Sequence, residues 1–429
     1  MTTLHTIDTV VVGAGHAGLA VSRLLTEAGR EHVVLDRGRV GDRWRTARWD
    51  SLHLLSPNWL NRLPGWRTPD NPDGFMSSGE FVDLLERYAA SFDAPVLTGT
   101  TVMSLTTAST GGYDVRTDHA TWRARSVVVA TGPHGVPVVP AAIRNPDARV
   151  VTSDRYRNPD RLAAGGVLVV GASASGVQIA DELARAGRDV VLAVGRHTRV
   201  PRRYRGMDLF WWLEATGRLA RTIDRVPDPV AARRDPSLQL VGRSRPDEVA
   251  SEVDLAALQR IGVRLTGRLE SLEGRKARFG GRLAADAADA DRSMSRLLDS
   301  IDRYVDCAGL TREVLAPVRP NAVIADPGPS RLDLRAERIR TVVLATGFRP
   351  DNGWVQLPIT DADGTIRQTR GVTDAPGVYV VGQRFQHRRD SGFIGGARHD
   401  AQAVVHHLTD GVVPMPQHGH TALTGEEPA

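Results

Sequence analysis

The 429-residue chain is long enough for two domains with separate cores, and its 41% hydrophobic and 24% charged residues are ordinary for a globular protein. No apolar run approaches the roughly 20 residues that span a bilayer, and the first predicted strand begins too early for a cleavable signal peptide, so we expect a cytoplasmic protein without integral membrane association. The net charge of +5 could indicate nucleic-acid binding, but acidic residues are interleaved with the basic ones, so we expect no nucleic-acid partner.

The N-terminal segment carries a dinucleotide-binding pattern. Thr9 to Gly18 reads as a strand, a tight turn and the start of a helix, and the turn contains Gly13, Gly15 and Gly18. These glycines allow a sharp exit from the strand, close approach of a pyrophosphate, and packing of the helix on the strand. The next strand ends at Asp36, whose carboxylate can accept hydrogen bonds from a ribose. The pattern predicts a nucleotide site, although such glycines can also serve packing alone.

The segment after Asp36 is rich in arginine and tryptophan. Arg37, Gly41, Arg43 and Trp44 follow a nucleotide-binding strand directly, and this position favours a cofactor-binding role over a solvated basic loop. Arginine can bind phosphate through two parallel hydrogen bonds.

The chain then runs to the end of the first predicted sheet. Residues 50–73 lack clear periodicity, and irregular backbone of that length is commonly functional. Residues 80–90 form an amphipathic helix for which Ser78 is a candidate cap. Residues 126–130 form a buried strand that enters a turn at Gly132, where the backbone can approach a ligand above the sheet edge.

The opening pattern recurs from Gly166 to Gly176. A strand leads into a turn with Gly171, Ser173 and Gly176, and a helix follows; Ser173 is small, and its hydroxyl can itself bond phosphate, as can that of Ser175. Two such units imply two dinucleotide sites, or one site and one degenerate copy.

The two units differ in the residues that follow their second strands. Asp36 closes the first unit, whereas Arg196 and Arg199 follow the later strand, residues 189–194. A carboxylate repels a 2′-phosphate and a guanidinium binds one. We therefore expect the first site to hold a nucleotide without a 2′-phosphate, as in FAD, and the second to hold NADPH; a solvated loop is the alternative for the arginines.

Residues 206–217 form a short aromatic helix. Phe210, Trp211 and Trp212 are consecutive and cannot share one face, so core packing, a substrate lid and interfacial membrane contact all stay open. Residues 224–247 form a loop or linker.

The later chain contains one long helix and the only cysteine. A helix is expected over 283–301, followed by a short strand at 304–305 and by Cys307 as a small buried residue. A single cysteine excludes an internal disulfide and a CxxC redox pair.

The C-terminal part returns to the first sheet. Residues 341–347 repeat the strand and the Ala-Thr-Gly turn seen at 126–132, which makes Gly347 a counterpart of Gly132. A last strand, residues 377–382, ends at Gly382, and a helix follows within 392–408.

With these motifs in order, the chain resembles the flavin-containing monooxygenases, which use FAD and NADPH on one polypeptide. Within them it resembles the small bacterial branch of flavoproteins related to cation transport. The resemblance extends to about Leu408 and includes both nucleotide motifs, the Gly41-x-x-Trp44 loop, and the ATGF form that ends at Phe348.

The resemblance implies roles for individual residues. An asparagine near the reactive flavin position in the family has its counterpart in Asn58, which is the implied catalytic residue, although a turn role is the alternative. The implied and predicted cofactor-binding residues are Gly13, Gly15, Gly18, Asp36, Arg37, Gly41, Arg43, Trp44, Gly132, Gly347 and Gly382 for FAD, and Gly171, Ser173, Ser175, Gly176, Arg196 and Arg199 for NADPH.

One stretch departs from the family pattern. The family fingerprint FxGxxxH, followed by an aromatic residue, corresponds to Arg149–Pro159, where Tyr156 suits the aromatic position but Thr152 replaces the histidine. This puts in question how the flavin reacts with oxygen.

The implied function is that of an NADPH-dependent flavin monooxygenase. It would form a C4a-(hydro)peroxyflavin from O₂ and insert one oxygen atom into a small organic substrate, and no metal site is expected. Two alternatives stay open: an NAD(P)H oxidase or reductase that passes electrons to a quinone or other acceptor, and a protein that senses FAD and NADPH without turnover. The run Arg388-Arg389-Asp390 could line the flavin edge, bind an anionic substrate, or form a surface cluster.

The predicted fold class is α/β, with two Rossmann-like dinucleotide-binding domains, the NADPH domain being inserted into the FAD domain. The FAD domain comprises residues 1–158 and 347–411, the NADPH domain residues 159–346, and a disordered tail residues 412–429. The active site would lie in the cleft between the domains, and the chain could form a homodimer.

Overall fold

The computed structural model describes residues 3–66, 70–240, 253–325 and 328–410. The predicted tail 412–429 and part of the predicted linker, residues 241–247, lie outside the described residues. The chain alternates strands and helices throughout. The helices are α1 (His16–Glu27), α2 (Asp42–Thr46), α3 (Ser78–Ala90), α4 (Ala174–Arg185), α5 (Leu209–Ala215), α6 (Pro229–Arg233), α7 (Leu255–Arg260), α8 (Leu283–Cys307) and α9 (Ala397–Asp410).

Within the described residues the strands are mostly short, and two of them, β1 and β6, reach ten residues. In chain order they are β1 (Thr3–Val12), β2 (His32–Leu35), β3 (Val96–Leu97), β4 (Val102–Thr107), β5 (Tyr113–Thr117), β6 (Ala120–Val129), β7 (Val136–Pro137), β8 (Ile143–Arg144), β9 (Arg149–Thr152), β10 (Gly166–Val170), β11 (Val190–Ala193), β12 (Thr198–Arg199), β13 (Arg203–Tyr204), β14 (Met207–Asp208), β15 (Leu238–Gln239), β16 (Arg264–Thr266), β17 (Leu269–Glu273), β18 (Lys276–Phe279), β19 (Arg331–Asp333), β20 (Ile339–Leu344), β21 (Phe348–Arg349) and β22 (Val378–Val380).

The first sheet has the order β3-β2-β1-β6-β5-β4, and β22 also pairs with β6. The parallel register places Val12 opposite both Leu35 and Val129, so the strands end level at one edge. Apolar side chains of β1 and β6 alternate between two clusters: one packs against α1 and α9, and the other faces β4, β5 and residues 355–366. The turns after β1, β2 and β6 therefore meet at the same edge.

The second sheet is wholly parallel, with the order β16-β11-β10-β20-β9. Val170 lies opposite Ala193 and Leu344, so these strands also end level. One apolar cluster packs the sheet against α4 and α7, and the other packs it against the small sheet β19-β18-β17-β8.

The chain crosses from the first sheet to the second at β7 and crosses back at β21, and these two strands pair antiparallel. After β21 it returns to the first sheet through β22 and α9. The second Rossmann-like unit is thus inserted into the first, as the sequence predicts.

Several predicted boundaries shift. β9 pairs with β20 in the second sheet and β8 pairs with β17, so the first crossing lies before residue 143 and not at 158. The predicted cap Ser78 is wrong: Ser77 caps α3, because its hydroxyl accepts from the Glu80 amide while the Glu80 carboxylate accepts from the Ser77 amide.

The predictions for residues 304–307 are also wrong. Residues 304 and 305 belong to α8, whose buried positions Leu298, Ile301 and Val305 keep the helical spacing, and Cys307 is exposed at its end. A pair of strand-favouring residues does not end a helix when the apolar period continues. Among the described helices, none combines the length and the hydropathy that crossing a bilayer requires.

Candidate active site

The two glycine turns open into one cleft of about 3470 Å³. Small-molecule pockets usually measure roughly 300–1,000 Å³, so this cleft has room for two extended nucleotides and a substrate. Its walls come from the ends of the parallel strands of both sheets, from the loop around α2, from α5 and α8, and from residues 382–394.

The first turn combines two packed glycines with one open glycine. A Cβ at Gly13, where φ is +113°, would lie 2.7 Å from the Ala130 carbonyl oxygen. A Cβ at Gly18 would lie 1.9 Å from the Gly13 carbonyl oxygen, whereas one at Gly15 would meet no atom within 4 Å. Gly13 and Gly18 therefore allow close packing, and Gly15 leaves the start of α1 accessible from the cleft.

Asp36 and Gly41 hold the neighbouring loop against this turn. The Asp36 Oδ2 atom accepts from the Ala14 amide at 2.6 Å, and Oδ1 accepts from the Gly38 amide at 2.9 Å. The Gly41 amide donates to the Ala14 carbonyl at 3.1 Å, and the φ of Gly41 is +68°. Asp36 and Arg37 line the cleft beside the turn.

Two arginines form a cationic surface on this side of the cleft. Arg43 Nη1 donates to the Gly135 carbonyl at 3.3 Å, while its buried Nε and Nη2 atoms have no partner among the described residues. Its guanidinium carbon lies 5.9 Å from the Phe348 ring centroid, and that of Arg48 lies 4.8 Å from the Trp44 ring. Burial lowers the pKa of Arg48 to about 10. Such a surface fits a phosphate or another electron-rich ligand group.

Two histidines that are scattered in the sequence, His16 and His134, lie beside these arginines. Burial lowers the pKa of His16 to about 4, and burial together with Arg48 and Arg43 lowers the pKa of His134 to about 3. Both imidazoles are neutral at pH 7, and His16 Nε2 has no partner in the described part of the chain. The two residues are 118 positions apart, and only the convergence of β1 and β6 brings them together.

The second turn repeats the geometry of the first. A Cβ at Gly171, where φ is +106°, would lie 2.5 Å from the Ala345 carbonyl oxygen, and one at Gly176 would lie 1.8 Å from the Gly171 carbonyl oxygen. Ser173 is the N-cap residue of α4 but makes no side-chain capping bond, and both Ser173 and Ser175 line the cleft. Their hydroxyls are available to a ligand at the start of α4.

The two arginines predicted to bind a 2′-phosphate have different environments. Arg196 lines the cleft, its side chain is 64% exposed, and its Nη2 atom lies 3.9 Å from Oδ1 of the half-exposed Asp235. Arg199 is only 4% exposed and pairs with Asp254 at 2.7 Å and with Asp291 at 2.6 Å. Because two carboxylates already neutralise Arg199, the geometry favours a structural ion pair for this residue over the predicted phosphate role.

Three further predicted glycines all line the cleft. At Gly132 and Gly347 φ is +73° and +88°, and a Cβ at either would meet no atom within 4 Å. A Cβ at Gly382 would lie 3.0 Å from Cβ of Ala17 on α1. The first two keep the backbone open to the cleft, and the third allows close packing on α1.

The structure does not bring Asn58 to the cleft. Its side-chain amide nitrogen donates to the Asn71 carbonyl at 2.9 Å, and its amide oxygen accepts from the Met76 amide at 3.1 Å. Asn58 is 6% exposed and does not line the cleft. Its polar atoms hold together the loop before α3, which agrees with the turn alternative, and the catalytic role stays a prediction.

The altered fingerprint stretch contacts the first unit through Arg157, whose Nη1 atom donates to the Arg48 carbonyl at 2.8 Å. Thr152 ends β9, and Tyr156 is fully buried with its hydroxyl donating to Glu182 at 2.6 Å. The Ser51 hydroxyl donates to the other Glu182 oxygen, also at 2.6 Å. Neither Thr152 nor Tyr156 lines the cleft, although residues 153–155 do.

The aromatic helix presents one ring to the cleft. Phe210 lines it, while Trp212 is fully buried and donates from Nε1 to the Tyr204 carbonyl at 2.8 Å. Trp211 packs edge-on against Trp212, with ring centroids 4.8 Å apart. Core packing accounts for both tryptophans. Within the described residues, no group of three or more His, Cys, Asp or Glu side chains could hold a metal ion.

Comparison with known proteins identifies the family to which the chain belongs. A family model described as pyridine nucleotide-disulphide oxidoreductase matches residues 10–205. An uncharacterized CzcO-like oxidoreductase of Geobacillus kaustophilus is 30% identical over 417 residues, covering 94% of this chain and 99% of the relative. The probable indole-3-pyruvate monooxygenase YUCCA1 of Arabidopsis thaliana is 29% identical over 208 residues, covering 47% of this chain and 50% of that protein.

Solved structures share the fold of this chain. A double mutant of the flavin monooxygenase from Stenotrophomonas maltophilia superposes with a TM-score of 0.66 at 19% identity, over 95% of this chain and 99% of that chain. The complex of OTEMO with FAD and NADP superposes with a TM-score of 0.52 at 16% identity, over 94% of this chain and 86% of that chain. The resemblance expected from the motifs is confirmed: the chain belongs to the family of CzcO-like oxidoreductases and has the fold of flavin-containing monooxygenases.

Proposed function

We propose that the chain is an NADPH-dependent flavin monooxygenase that transfers one oxygen atom of O₂ to a small organic substrate. The observation that carries the proposal is that two matching glycine turns lie on one cleft. The residues after the second strand of each unit differ in charge: Asp36 follows β2 in the first unit, and Arg196 follows β11 in the second. This contrast suits one nucleotide without a 2′-phosphate and one with it.

FAD would bind at the first turn. The open position of Gly15 allows its pyrophosphate to reach the start of α1, and the unpartnered Arg43 nitrogens supply positive charge beside it. Asp36 keeps acceptor capacity for a ribose hydroxyl, because each of its oxygens accepts one backbone hydrogen bond and can accept another. Trp44 and Phe348 would supply flat apolar surface close to the flavin.

NADPH would bind at the second turn, with its 2′-phosphate at Arg196. Arg268, which follows β16, is a second cation for this phosphate. Its side-chain carbons lie 3.7 Å from the position of a Cβ on Gly195, next to Arg196, and no carboxylate pairs with it in the described part of the chain. Sequence reasoning missed Arg268 because it lies 72 residues beyond Arg196.

Bound FAD would supply the redox chemistry: with two electrons from NADPH, one oxygen atom of O₂ goes to the substrate and the other to water. The chain's own residues would bind and orient the cofactors and the substrate, and they would exclude water from the reacting groups. His16 and His134 are neutral at pH 7, so they act there as hydrogen-bonding groups and not as cations. The apolar side chains of α5 and α8 that line the cleft would exclude water from the surface that a substrate covers.

The test is oxygen incorporation by purified, FAD-loaded protein. NADPH consumption under ¹⁸O₂ should yield product with one ¹⁸O atom, with far less H₂O₂ than NADPH consumed. Stoichiometric H₂O₂ without labelled product would support the oxidase or reductase alternative. Failure of NADPH to bleach the flavin would overturn both enzyme functions and favour a nucleotide sensor.

A further inference from the structure

Part of the cleft is lined by an apolar wall formed by Phe210, Leu213, Met294, Leu297 and Phe393. These side chains belong to α5, α8 and the returning segment before α9, and all five pack in one hydrophobic cluster. The rings of Phe210 and Phe393 meet edge to face, with centroids 5.8 Å apart. The wall therefore spans both units and offers a surface for an apolar molecule.

A group of arginines, which we call the arginine rim, lies next to the apolar wall. It consists of Arg218, Arg221 and Arg303, all of which are exposed and line the cleft. Arg218 Nη2 donates to the Ser300 hydroxyl on α8 at 2.8 Å, and Ser300 lies three residues from Leu297. Positions three apart on a helix are about 5–6 Å apart at Cβ, so the rim and the wall are continuous.

The charge of the rim is not balanced locally. No carboxylate of the described residues lies within ion-pair distance of these three arginines, and Arg221 donates only to the Arg225 carbonyl, at 2.9 Å. Arg303 lies one helical turn after Ser300 on α8, the residue that Arg218 contacts, and partial burial together with the charges of Arg221 and Arg303 lowers the pKa of Arg218. Asp299, an acidic neighbour on α8, pairs with Arg319 at 2.9 Å.

Arg388 and Arg389, which the sequence analysis named as a possible anion site, differ from the rim because each pairs with a carboxylate. Arg388 pairs with Asp390 at 2.9 Å, and Arg389 pairs with Asp235 at 3.3 Å. Their charges are neutralised, whereas those of the rim are available. The rim is also separate from the cations beside the two nucleotide turns, which belong to the α2 loop and to the ends of β11 and β16.

We propose that the substrate is an apolar organic acid, with its hydrocarbon body against the apolar wall and its carboxylate at the arginine rim. Guanidinium groups bind carboxylates through paired hydrogen bonds, and the apolar wall supplies the hydrophobic contact. The substrate class rests on the proposed function, because it assumes that oxygen transfer takes place in this cleft. The anion site itself does not depend on oxygen transfer.

The test compares 4-(methylthio)phenylacetate with its uncharged primary amide on the FAD-loaded enzyme. Dissociation constants come from quenching of flavin fluorescence at low salt, and sulfoxide formation with NADPH is measured separately. The acid should bind at least about tenfold more tightly than the amide, since two or more guanidinium groups face its carboxylate.

Variants locate the effect. The double substitution Arg218→Ala, Arg303→Ala should remove the preference for the acid and leave amide binding within about twofold, and Arg218→Lys should retain most of the preference. Arg335→Ala, an exposed arginine outside the cleft, is the matched control and should change neither constant. Unchanged flavin reduction by NADPH would show that the double variant is folded.

The outcomes separate the two proposals. Equal binding of acid and amide, or an acid preference that survives the double substitution, would overturn the anion site even if both probes were oxygenated. An acid preference that depends on Arg218 and Arg303 without formation of any sulfoxide would support the anion site and count against monooxygenation.

Discussion

Replacing Gly15 and Gly18 by alanine, one at a time, should separate cofactor binding from folding at the first turn. A Cβ at residue 18 would lie 1.9 Å from the Gly13 carbonyl oxygen, so α1 has to move away from the turn. Overpacking of this kind costs up to about 3 kcal/mol, and the better helix propensity of alanine returns about 1 kcal/mol. The expected net loss for Gly18→Ala is about 2 kcal/mol of unfolding free energy.

Gly15→Ala should behave in the opposite way. Gly15 has φ −82° and ψ −178°, a conformation that alanine adopts, and its Cβ would meet no protein atom within 4 Å. Alanine is a weaker N-cap than glycine, which lowers the unfolding free energy by about 0.5–1 kcal/mol. Its unfolded state has less entropy, which raises the unfolding free energy by a similar amount, so stability should change little. The Cβ would instead obstruct the pyrophosphate. Loss of one charge-assisted hydrogen bond, about 2 kcal/mol, weakens FAD binding about 30-fold.

Two measurements on FAD-free protein check this pair. Urea unfolding gives the stability of each variant, and titration with FAD, followed by quenching of flavin fluorescence, gives the dissociation constant. The reasoning would be refuted if Gly15→Ala bound FAD within about twofold of the unchanged protein, or if Gly18→Ala unfolded at the same urea concentration as the unchanged protein.

Three further predictions concern charged and titratable groups. Arg196→Ala should raise the KM for NADPH about tenfold and change that for NADH less than twofold in initial-rate assays; equal changes would contradict a 2′-phosphate role. Arg199→Ala leaves two buried carboxylates without their cation and should lower the urea-derived stability by about 3 kcal/mol, without altering the NADPH-to-NADH ratio. Because burial lowers the pKa of His16 from 6.5 to about 4, the unfolded chain takes up a proton that the folded chain does not, so stability should fall as pH drops from 6.5 towards 4. The urea midpoint of His16→Gln should fall less over that range, and an equal fall in both proteins would rule out this histidine as a source.

Local patterns were enough to predict most of the architecture. The glycine turns, the apolar strands that precede them and the recurrence of the whole unit are properties of a few neighbouring residues, since strand exit and helix packing at Gly13 or Gly171 depend on backbone sterics within the turn. The insertion of one unit into the other followed from the second Ala-Thr-Gly turn, which ends at Gly347. The error at the first crossing has a non-local cause: β9 is a four-residue edge strand, and the residues of β20 with which it pairs lie 192 positions later.

The sequence by itself determined the two nucleotide turns and the acid-and-arginine contrast between them, because both are encoded within about 25 residues of each turn. Only the tertiary structure decided which of the arginines that line the cleft lack a carboxylate partner. Arg199 is neutralised by Asp254 and Asp291, which are 55 and 92 positions away, while the arginines of the rim meet no carboxylate among the described residues. The physical reason is that the charge available to a ligand depends on what else is buried around a side chain, and packing between distant segments sets those neighbours.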